Sequence, residues 1–347
     1  MTLQQRINAF AHVGDVFRAI VQQKEHPAKE VLLAQIDRAT AANAWFTKEN
    51  IYFCLEQWSQ ALTADNLTQW VKSYSLNNDS PQKVGIIMAG NIPLVGFHDL
   101  LAVVLSGNIA LAKLSSNDQR LIPAVREILI GFDPASAEAI QIVQHKLTDF
   151  DAVIATGSNN TARYFEYYFK DKPSIIRKNR NAVAVLTGEE TNADLKALGE
   201  DIFRYYGLGC RNVSKVYVPT GYNFNSLFES LYEWNSIINH HKYANNYDYN
   251  KAVYLMSQAK LLDNNFFLIK QDTALSSPIG VLFYEEYGDL NDVNEIITAR
   301  QEEIQCVVSK AELPNALAFG EAQQPRLWDY ADGVDTLAFL STLPVNN

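Results

Sequence analysis

From Met1 to about Tyr74, apolar residues recur at the helical period: Ile7, Phe10 and Ala11, then Val31, Leu32 and Ile36, then Trp58, Leu62 and Trp70. The spacing predicts a run of helices, with Asn66 as the cap of a segment from Leu67 to Tyr74. Leu76-Asn77-Asn78-Asp79-Ser80-Pro81 breaks that run, and the period changes after it. Val84 to Ala89 is a nearly continuous apolar stretch closed by Gly90, as expected of a strand buried on both faces. A helix follows through Leu94, Phe97, Leu101, Val104 and Leu105, with Gly107 suited to a left-handed cap. The alternation continues with a strand from Ile109 to Leu114, a helix from Leu121 to Leu129, and strands at Ile140 to Val143 and Ala152 to Thr156. A tyrosine-rich helix from Ala162 to Phe169 and strands at Ser174 to Ile176 and Ala182 to Leu186 complete it. Strand, loop and helix in repetition predict an open parallel sheet with helices on both faces.

The second half is less regular. Leu195, Leu198, Ile202, Phe203 and Tyr206 share one helix face, and Val216 and Val218 alternate as in a strand. Phe224, Leu227, Phe228, Leu231, Trp234 and Ile238 predict one amphipathic helix running into His240-His241-Lys242. Tyr243 to Tyr249 reads as an Asn/Tyr-rich loop before a helix near Lys251 to Leu262. Strands are expected at Phe266 to Ile269, Ile279 to Tyr284 and Ile304 to Val308, and a helix from Val293 to Gln301 capped by Asn291 or Asp292. The expected fold class is α/β, with two open parallel-rich domains behind a helical lead. The expected divisions are residues 1–190, with the lead at 1–80, then 191–320, then a tail at 321–347 whose role the pattern does not reveal.

Composition narrows the functional classes. The chain has 347 residues, 48% of them hydrophobic, which is ample for two packed cores. The net charge of −10 comes with no basic block, which argues against nucleic acid and anionic membrane surfaces as partners. The longest apolar runs, such as Leu100 to Leu105, are too short to span a bilayer. Three separated cysteines without a CxxC pair make neither a disulfide framework nor a conventional zinc site. No signal-type apolar core opens the chain, so a cytoplasmic protein is expected. The histidine pair has no carboxylate or cysteine at ligand spacing, so it reads as a solvated helix end and no metal is expected.

One cysteine stands apart. Cys210 lies in Gly207-Leu208-Gly209-Cys210-Arg211-Asn212, between a helix and a strand, where two glycines permit a tight turn and leave room near the sulfur. Arg211 favours the thiolate, so Cys210 is the candidate nucleophile, with an inert packing role as the alternative. Cys54 and Cys306 sit in apolar stretches and read as packing. Open parallel sheets take ligands beyond the carboxyl ends of their strands. The loops to watch are therefore Gly90-Asn91, Ser115-Ser116 and Gly157-Ser158. None spells GxGxxG, and each also reads as an ordinary strand-to-helix turn.

Taken in order, Gly90-Asn91-Ile92-Pro93, Ser106-Gly107-Asn108 with Lys113-Leu114-Ser115-Ser116, Ala155-Thr156-Gly157-Ser158 and Gly207 to Asn212 resemble the aldehyde dehydrogenase superfamily. The likeness is nearer to its fatty acyl-CoA reductase branch, the type that feeds bacterial luciferase, and it covers about Val84 to Phe339. The resemblance implies an aldehyde-dehydrogenase-like fold, with 1–190 binding the cofactor and 191–320 carrying the catalytic cysteine. It implies Cys210 as nucleophile and Asn91 as donor to the developing oxyanion, beside the backbone N–H of Cys210. Such a donor contributes about 3 kcal/mol. By the same resemblance Lys113, Ser115, Ser116, Thr156, Gly157 and Ser158 hold a nicotinamide dinucleotide.

Departures from the family pattern sharpen the expectation. Many NAD-preferring relatives carry a glutamate three residues after the lysine; here Ser116 stands there, which implies NADPH, with NADH as the alternative and Asp118 nearby weighing against. Arg177-Lys178-Asn179-Arg180 replaces the stretch whose glutamate activates water, so the acyl-enzyme is expected to be reduced rather than hydrolysed. Arg211, Lys178 and Arg180 read either as aids to the thiolate or CoA phosphates, or as surface charges. Ser276-Ser277-Pro278-Ile279-Gly280 stands near the place of the missing segment that usually holds the nicotinamide ribose. The implied activity is NADPH-dependent reduction of a long-chain acyl-CoA or acylated carrier to aldehyde, with an acyl-transferring enzyme as partner and a homo-oligomer as the assembly. The alternatives are an aldehyde or acyl-phosphate oxidoreductase of the same superfamily, or a non-redox acyl-carrying subunit.

Overall fold

The computed structural model describes residues 1–76 and 80–343, so Asn77, Asn78 and Asp79 of the predicted breaker lie outside the described residues. The chain divides into two compact units, Met1–Lys178 with Arg326–Asn347, and Asn179–Pro325. This moves the expected boundary from 190 back to 178. The reason is pairing: the strand at residues 181–185 bonds to strands of the second sheet and not to those of the first.

The first unit opens with four helices, α1 (Leu3–Val21), α2 (Lys29–Ala42), α3 (Lys48–Ala61) and α4 (Ala64–Val71). The helical lead thus forms as its apolar period predicts. The cap of α4 is Thr63, not Asn66: the Thr63 hydroxyl accepts the Asn66 N–H at 3.2 Å, which makes Asn66 the third residue of the helix.

Five strands then form the first sheet: β1 (Lys83–Ile87), β2 (Ile109–Lys113), β3 (Ile140–Ile142), β4 (Ala152–Thr156) and β5 (Ser174–Arg177). Between them run α5 (Phe97–Leu105), α6 (Leu121–Phe132), the single-turn α7 (Ser136–Ala139) and α8 (Asn159–Tyr168). The strand order is β3-β2-β1-β4-β5 and every pairing is parallel. The helix α5 is apolar nearly all round because it is buried all round, packing against β1, β2 and α1.

The second unit holds β6 (Asn181–Val185), α9 (Asn192–Phe203), β7 (Val213–Pro219), α10 (Asn225–Leu231), α11 (His241–Met256), β8 (Leu261–Asp263), β9 (Leu268–Gln271), β10 (Val281–Tyr287), α12 (Leu290–Ala299) and β11 (Ile304–Ser309). Its six-stranded sheet runs β11-β6-β7-β10-β9-β8, parallel except for the antiparallel β8–β9 pair. Three local expectations are corrected. Residues 243–249 are helical, because Tyr243, Tyr247 and Asn250 form a buried stripe along α11, which ends at Met256 rather than Leu262. The single helix expected through Ile238 is α10 followed by a 3-10 segment, Tyr232–Asn239. The cap of α12 is Asp289, whose carboxylate accepts the Asn291 N–H at 2.8 Å, and neither Asn291 nor Asp292.

The tail rejoins the first unit and ends in α13 (Thr336–Ser341), which packs on α5. Tyr330 receives the Trp70 indole N–H at 2.8 Å, and the Tyr74 hydroxyl donates to Asp335 at 2.7 Å. The expected separate segment 321–347 is therefore split: residues to 325 belong to the second unit and the remainder to the first. No helix among the described residues is long and apolar enough to cross a membrane.

Candidate active site

In the first unit the parallel registers set Ile87, Lys113 and Ala155 at one level, so the turns after β1, β2 and β4 leave the same sheet edge. Chain direction across the sheet reverses between β1 and β4, the position where such folds open a crevice. Asn91, Lys113, Ser115, Ser116, Thr156, Gly157 and Ser158 all lie on or just beyond this edge.

The turn after β1 is held from three directions. The Met88 N–H donates to the Lys113 carbonyl at 3.0 Å, the Cys54 thiol donates to the Pro93 carbonyl at 3.3 Å, and the Leu94 N–H donates to Asp118 at 3.1 Å. Leu94 has φ +55°, a conformation that costs a side-chain-bearing residue about 1–2 kcal/mol. Asn91 sits half-buried in this turn. Gly90 is required there, since a Cβ would lie 2.5 Å from Ser115 Oγ and 3.2 Å from the Asn117 Cβ.

Asp118 is the residue that sequence reasoning placed wrongly. It is buried, and its carboxylate accepts the N–H groups of Leu94 at 3.1 Å and Leu121 at 3.3 Å. Burial raises its pKa, and the backbone donors partly oppose that rise. The carboxylate therefore ties the β1 turn to the start of α6 and does not face solvent beside Ser116, which is exposed. Its signal was faint: an aspartate three residues ahead of a helix whose own first turn has no acidic residue.

Lys113 directs its ammonium to the carbonyls of Gln144 at 3.2 Å and His145 at 2.6 Å, leaving a third donor. The Gly157 N–H bonds to the Arg177 carbonyl at 3.2 Å, and a Cβ there would meet Thr161 at 3.0 Å and Phe165 at 3.1 Å. Ser158 caps α8 through the Thr161 N–H at 3.2 Å.

The charged run after β5 is built into the fold. Arg177 is buried against Asp99, with Nη2 to Oδ1 at 2.8 Å, and also reaches the Ala331 carbonyl at 2.7 Å and the Thr336 hydroxyl at 3.0 Å. Lys178 pairs with Glu166 at 2.7 Å. In the second unit Arg180 donates to the carbonyls of Gln301 at 3.0 Å and Ile304 at 3.3 Å.

Cys210 belongs to the second unit and is the exposed member of the three free cysteines. Cys54 is buried, and burial pushes the Cys306 thiol up to about 12 while Arg211, which hydrogen-bonds to its sulfur, pulls the other way. The chain reaches Cys210 through three successive left-handed residues, Tyr205 at φ +55°, Tyr206 at φ +60° and Gly207 at φ +75°. Tyr206 packs on His240 with the rings tilted by 31° and their centroids 4.3 Å apart, and the His240 ring nitrogen accepts the Tyr243 N–H at 3.4 Å as the cap of α11. The histidine pair is thus a helix start, not a helix end. No cluster among the described residues could hold a metal ion.

Asp201, at the last turn of α9, accepts the N–H groups of Gly320 at 2.6 Å and Ala322 at 3.0 Å, and Arg211 donates to the Ala322 carbonyl at 3.4 Å. Burial pushes Asp201 up to about 7 against the pull of those two donors. A small cleft of about 30 Å³ opens beside the turn, lined by Phe203, Tyr206, Gly207, Tyr243, Ile279 and Gly280. The segment expected near the cofactor therefore lies beside the approach to Cys210 within one unit.

Comparison with known proteins bears on the family and the fold. The acyl-CoA reductase (LuxC) family matches residues 10–232. Among solved structures, aldehyde dehydrogenase 21 from Physcomitrella patens, in complex with the reaction product succinate, is 12% identical with a TM-score of 0.64, covering 90% of this chain and 74% of that one. An NADP-dependent enzyme of E. coli is 14% identical with a TM-score of 0.62 over 90% of this chain and 74% of its own. An aldehyde dehydrogenase from Bacillus cereus, solved as its NAD+ complex, is 13% identical with a TM-score of 0.60 over 90% and 72%. These likenesses show the fold. No curated protein sequence matches significantly.

Proposed function

Since the chain belongs to the acyl-CoA reductase (LuxC) family, which makes it an oxidoreductase of acyl and aldehyde groups, we propose that it reduces a long-chain acyl-CoA to the aldehyde with NADPH through a thioester on Cys210. The observation that carries this reading is the exposed Cys210 at the end of a constrained turn, while Cys54 is buried and burial holds Cys306 protonated.

The residues of the first unit suit a nicotinamide dinucleotide. Gly157 packs closely on Thr161 and Phe165 and leads into the start of α8, a helix N-terminus that suits a pyrophosphate, and Lys113 supplies a cation on the same sheet edge. Ser115, Ser116, Thr156 and Ser158 complete the set that would hold it. Ser116 is exposed, and the nearby Asp118 carboxylate is turned inward, so neither places a negative charge against a 2′-phosphate. That favours NADPH over NADH.

When bound, the reduced nicotinamide supplies a hydride to the acyl carbon. Cys210 does the covalent work: its thiolate bonds to the thioester carbonyl carbon, the bond from that carbon to the CoA sulfur breaks, and CoA leaves to take a proton from solvent. Asn91 and the Cys210 N–H are the proposed donors to the oxyanion. After reduction the carbon–sulfur bond to Cys210 breaks, which restores the thiolate and frees the aldehyde. The absence of a water-activating glutamate in the Arg177–Arg180 run suits an acyl-enzyme that waits for hydride. The reading also puts the enzyme in the cytoplasm as a homo-oligomer, with acyl groups delivered as CoA or carrier thioesters by an acyl-transferring enzyme.

Incubation with long-chain acyl-CoA labelled in the acyl group tests the covalent step. Label should remain on the denatured wild type and vanish in Cys210→Ala. Retention in that variant would remove the thioester from the account, and NADPH consumption across a panel of acyl lengths fixes the preferred chain.

A further inference from the structure

We propose that Asn212 is the positioning residue that fixes the direction of the Cys210 peptide and so sets the rate of acyl transfer to the sulfur; this rests on the reading of Cys210 as nucleophile. Asn212 is buried, and each polar atom of its side chain is committed. Its Nδ2 is shared among the carbonyls of Asp201 at 3.1 Å, Ile202 at 3.3 Å and Arg204 at 2.8 Å, while Oδ1 accepts the Gly209 N–H at 2.7 Å. Carbonyls on one side and an N–H on the other leave one orientation for the amide.

Two consequences follow for the cysteine. The Asn212 N–H donates to the Gly209 carbonyl at 3.0 Å, and that carbonyl shares a planar peptide with the Cys210 N–H. Gripping the carbonyl on the Asn212 side turns the Cys210 N–H to the opposite side. The side chain pins the preceding peptide as well, so both peptides before Cys210 are fixed by one residue. At the other end, Nδ2 closes the last carbonyls of α9, which a glycine would ordinarily satisfy through a left-handed cap. Here the residues leaving α9 are two left-handed tyrosines, Tyr205 and Tyr206, neither of which adopts that conformation without cost. The asparagine thus holds a strained approach and a reactive turn against the same helix end.

The test uses the full-length chain and labelled acyl-CoA in single turnover. Asn212→Ala should slow acylation of Cys210 by about 100-fold, the scale of an ångström of misplacement, with KM for acyl-CoA changed by less than threefold and the far-ultraviolet circular dichroism retained. Asn212→Asp is isosteric, but as a carboxylate it faces three carbonyls with no proton to give. Its rate relative to wild type should climb at least tenfold from pH 8 to pH 6 as it protonates, while the Asn212→Ala ratio stays flat. Acylation within threefold of wild type in both folded variants would overturn the proposal, as would equal loss in rate and substrate affinity. Should Asn212→Ala not fold, the pH response of Asn212→Asp decides alone. Failure of the nucleophile reading would be seen separately, as label persisting in Cys210→Ala.

Discussion

Asp118 accepts the backbone N–H of Leu94 at 3.1 Å, and through that bond a buried carboxylate holds a left-handed leucine three residues beyond Asn91. The turn that carries the proposed oxyanion donor is therefore shaped by the loop after β2 as much as by its own sequence. Gly90, wedged against Ser115 of that loop, shows how closely the two are fitted.

Gly90→Ala should separate the two loops. With Ser115 Oγ at 2.5 Å from the new methyl, the overpacking costs roughly 1–3 kcal/mol in thermal unfolding. NADPH affinity, followed by its fluorescence, should fall at least tenfold. Removing the obstructing side chain with Ser115→Gly should restore most of the stability of Gly90→Ala. Unchanged stability in the single variant would mean that the loops yield freely.

Chemical modification of the folded protein should be selective. Iodoacetamide at pH 8 is expected to label Cys210 and spare Cys54, which is buried, and Cys306, whose thiol lies near 12. Peptide mapping by mass spectrometry reads the sites directly. Modification of Cys306 at a rate matching that of Cys210 would contradict the burial that raises it.

Asp201 predicts a pH dependence of stability. Its carboxyl moves from an ordinary value of 3.8 to about 7 in the fold, so the folded state binds the proton more tightly than the unfolded chain. Stability from this group is fully present below pH 3.8 and is lost as pH rises to about 7. At about 1.4 kcal/mol per tenfold change in proton affinity, the loss is on the order of 4–5 kcal/mol. Urea unfolding between pH 4 and pH 8 should show this slope in wild type and a flatter one in Asp201→Asn.

Removing Asp99 should destabilise the protein far more than removing the whole pair. Asp99→Ala takes from the buried Arg177 guanidinium its shorter carboxylate contact, leaving Asp332 at 3.7 Å, and should cost about 3 kcal/mol. Asp99→Leu with Arg177→Met, made in an Asp332→Asn background so that no carboxylate is left without the guanidinium, should recover most of that loss in thermal melts. Equal losses in the single and double variants would show that the bonds from Arg177 to Ala331 and Thr336 carry the stability instead.

Much of this was legible in the sequence where local chemistry decides. Val84 to Ile87 announces a buried strand because nothing polar interrupts it, and Gly207 to Cys210 announces a turn with an open sulfur because glycine removes the alternatives. The caps Thr63 and Asp289 are missed locally, and most other failures come from partners elsewhere in the chain. Asn181 to Val185 reads as a strand like any other; only its bonds to β7 and β11 assign it to the second sheet. Tyr243, Tyr247 and Asn250 have helical spacing, yet their polar groups disguise a buried stripe that becomes plain once Asn250 is seen donating to the Ile279 carbonyl at 3.0 Å. Tyr330 could not be interpreted without Trp70 and Tyr74, from which it is separated by most of the sequence. Asn212 reads in the sequence only as part of a motif, but its bonds go to three carbonyls of α9 and the turn that follows.

The return of residues 326–341 to the first unit bears on how the molecule is made. Asp99 and Arg177 are synthesised before the second unit, while Ala331, Asp332 and Thr336 are synthesised after it. A nascent chain arrested at Pro325 would hold its guanidinium against one carboxylate with the tail's share of the contacts still missing. The first unit thus receives its last contacts only after everything in between has been synthesised.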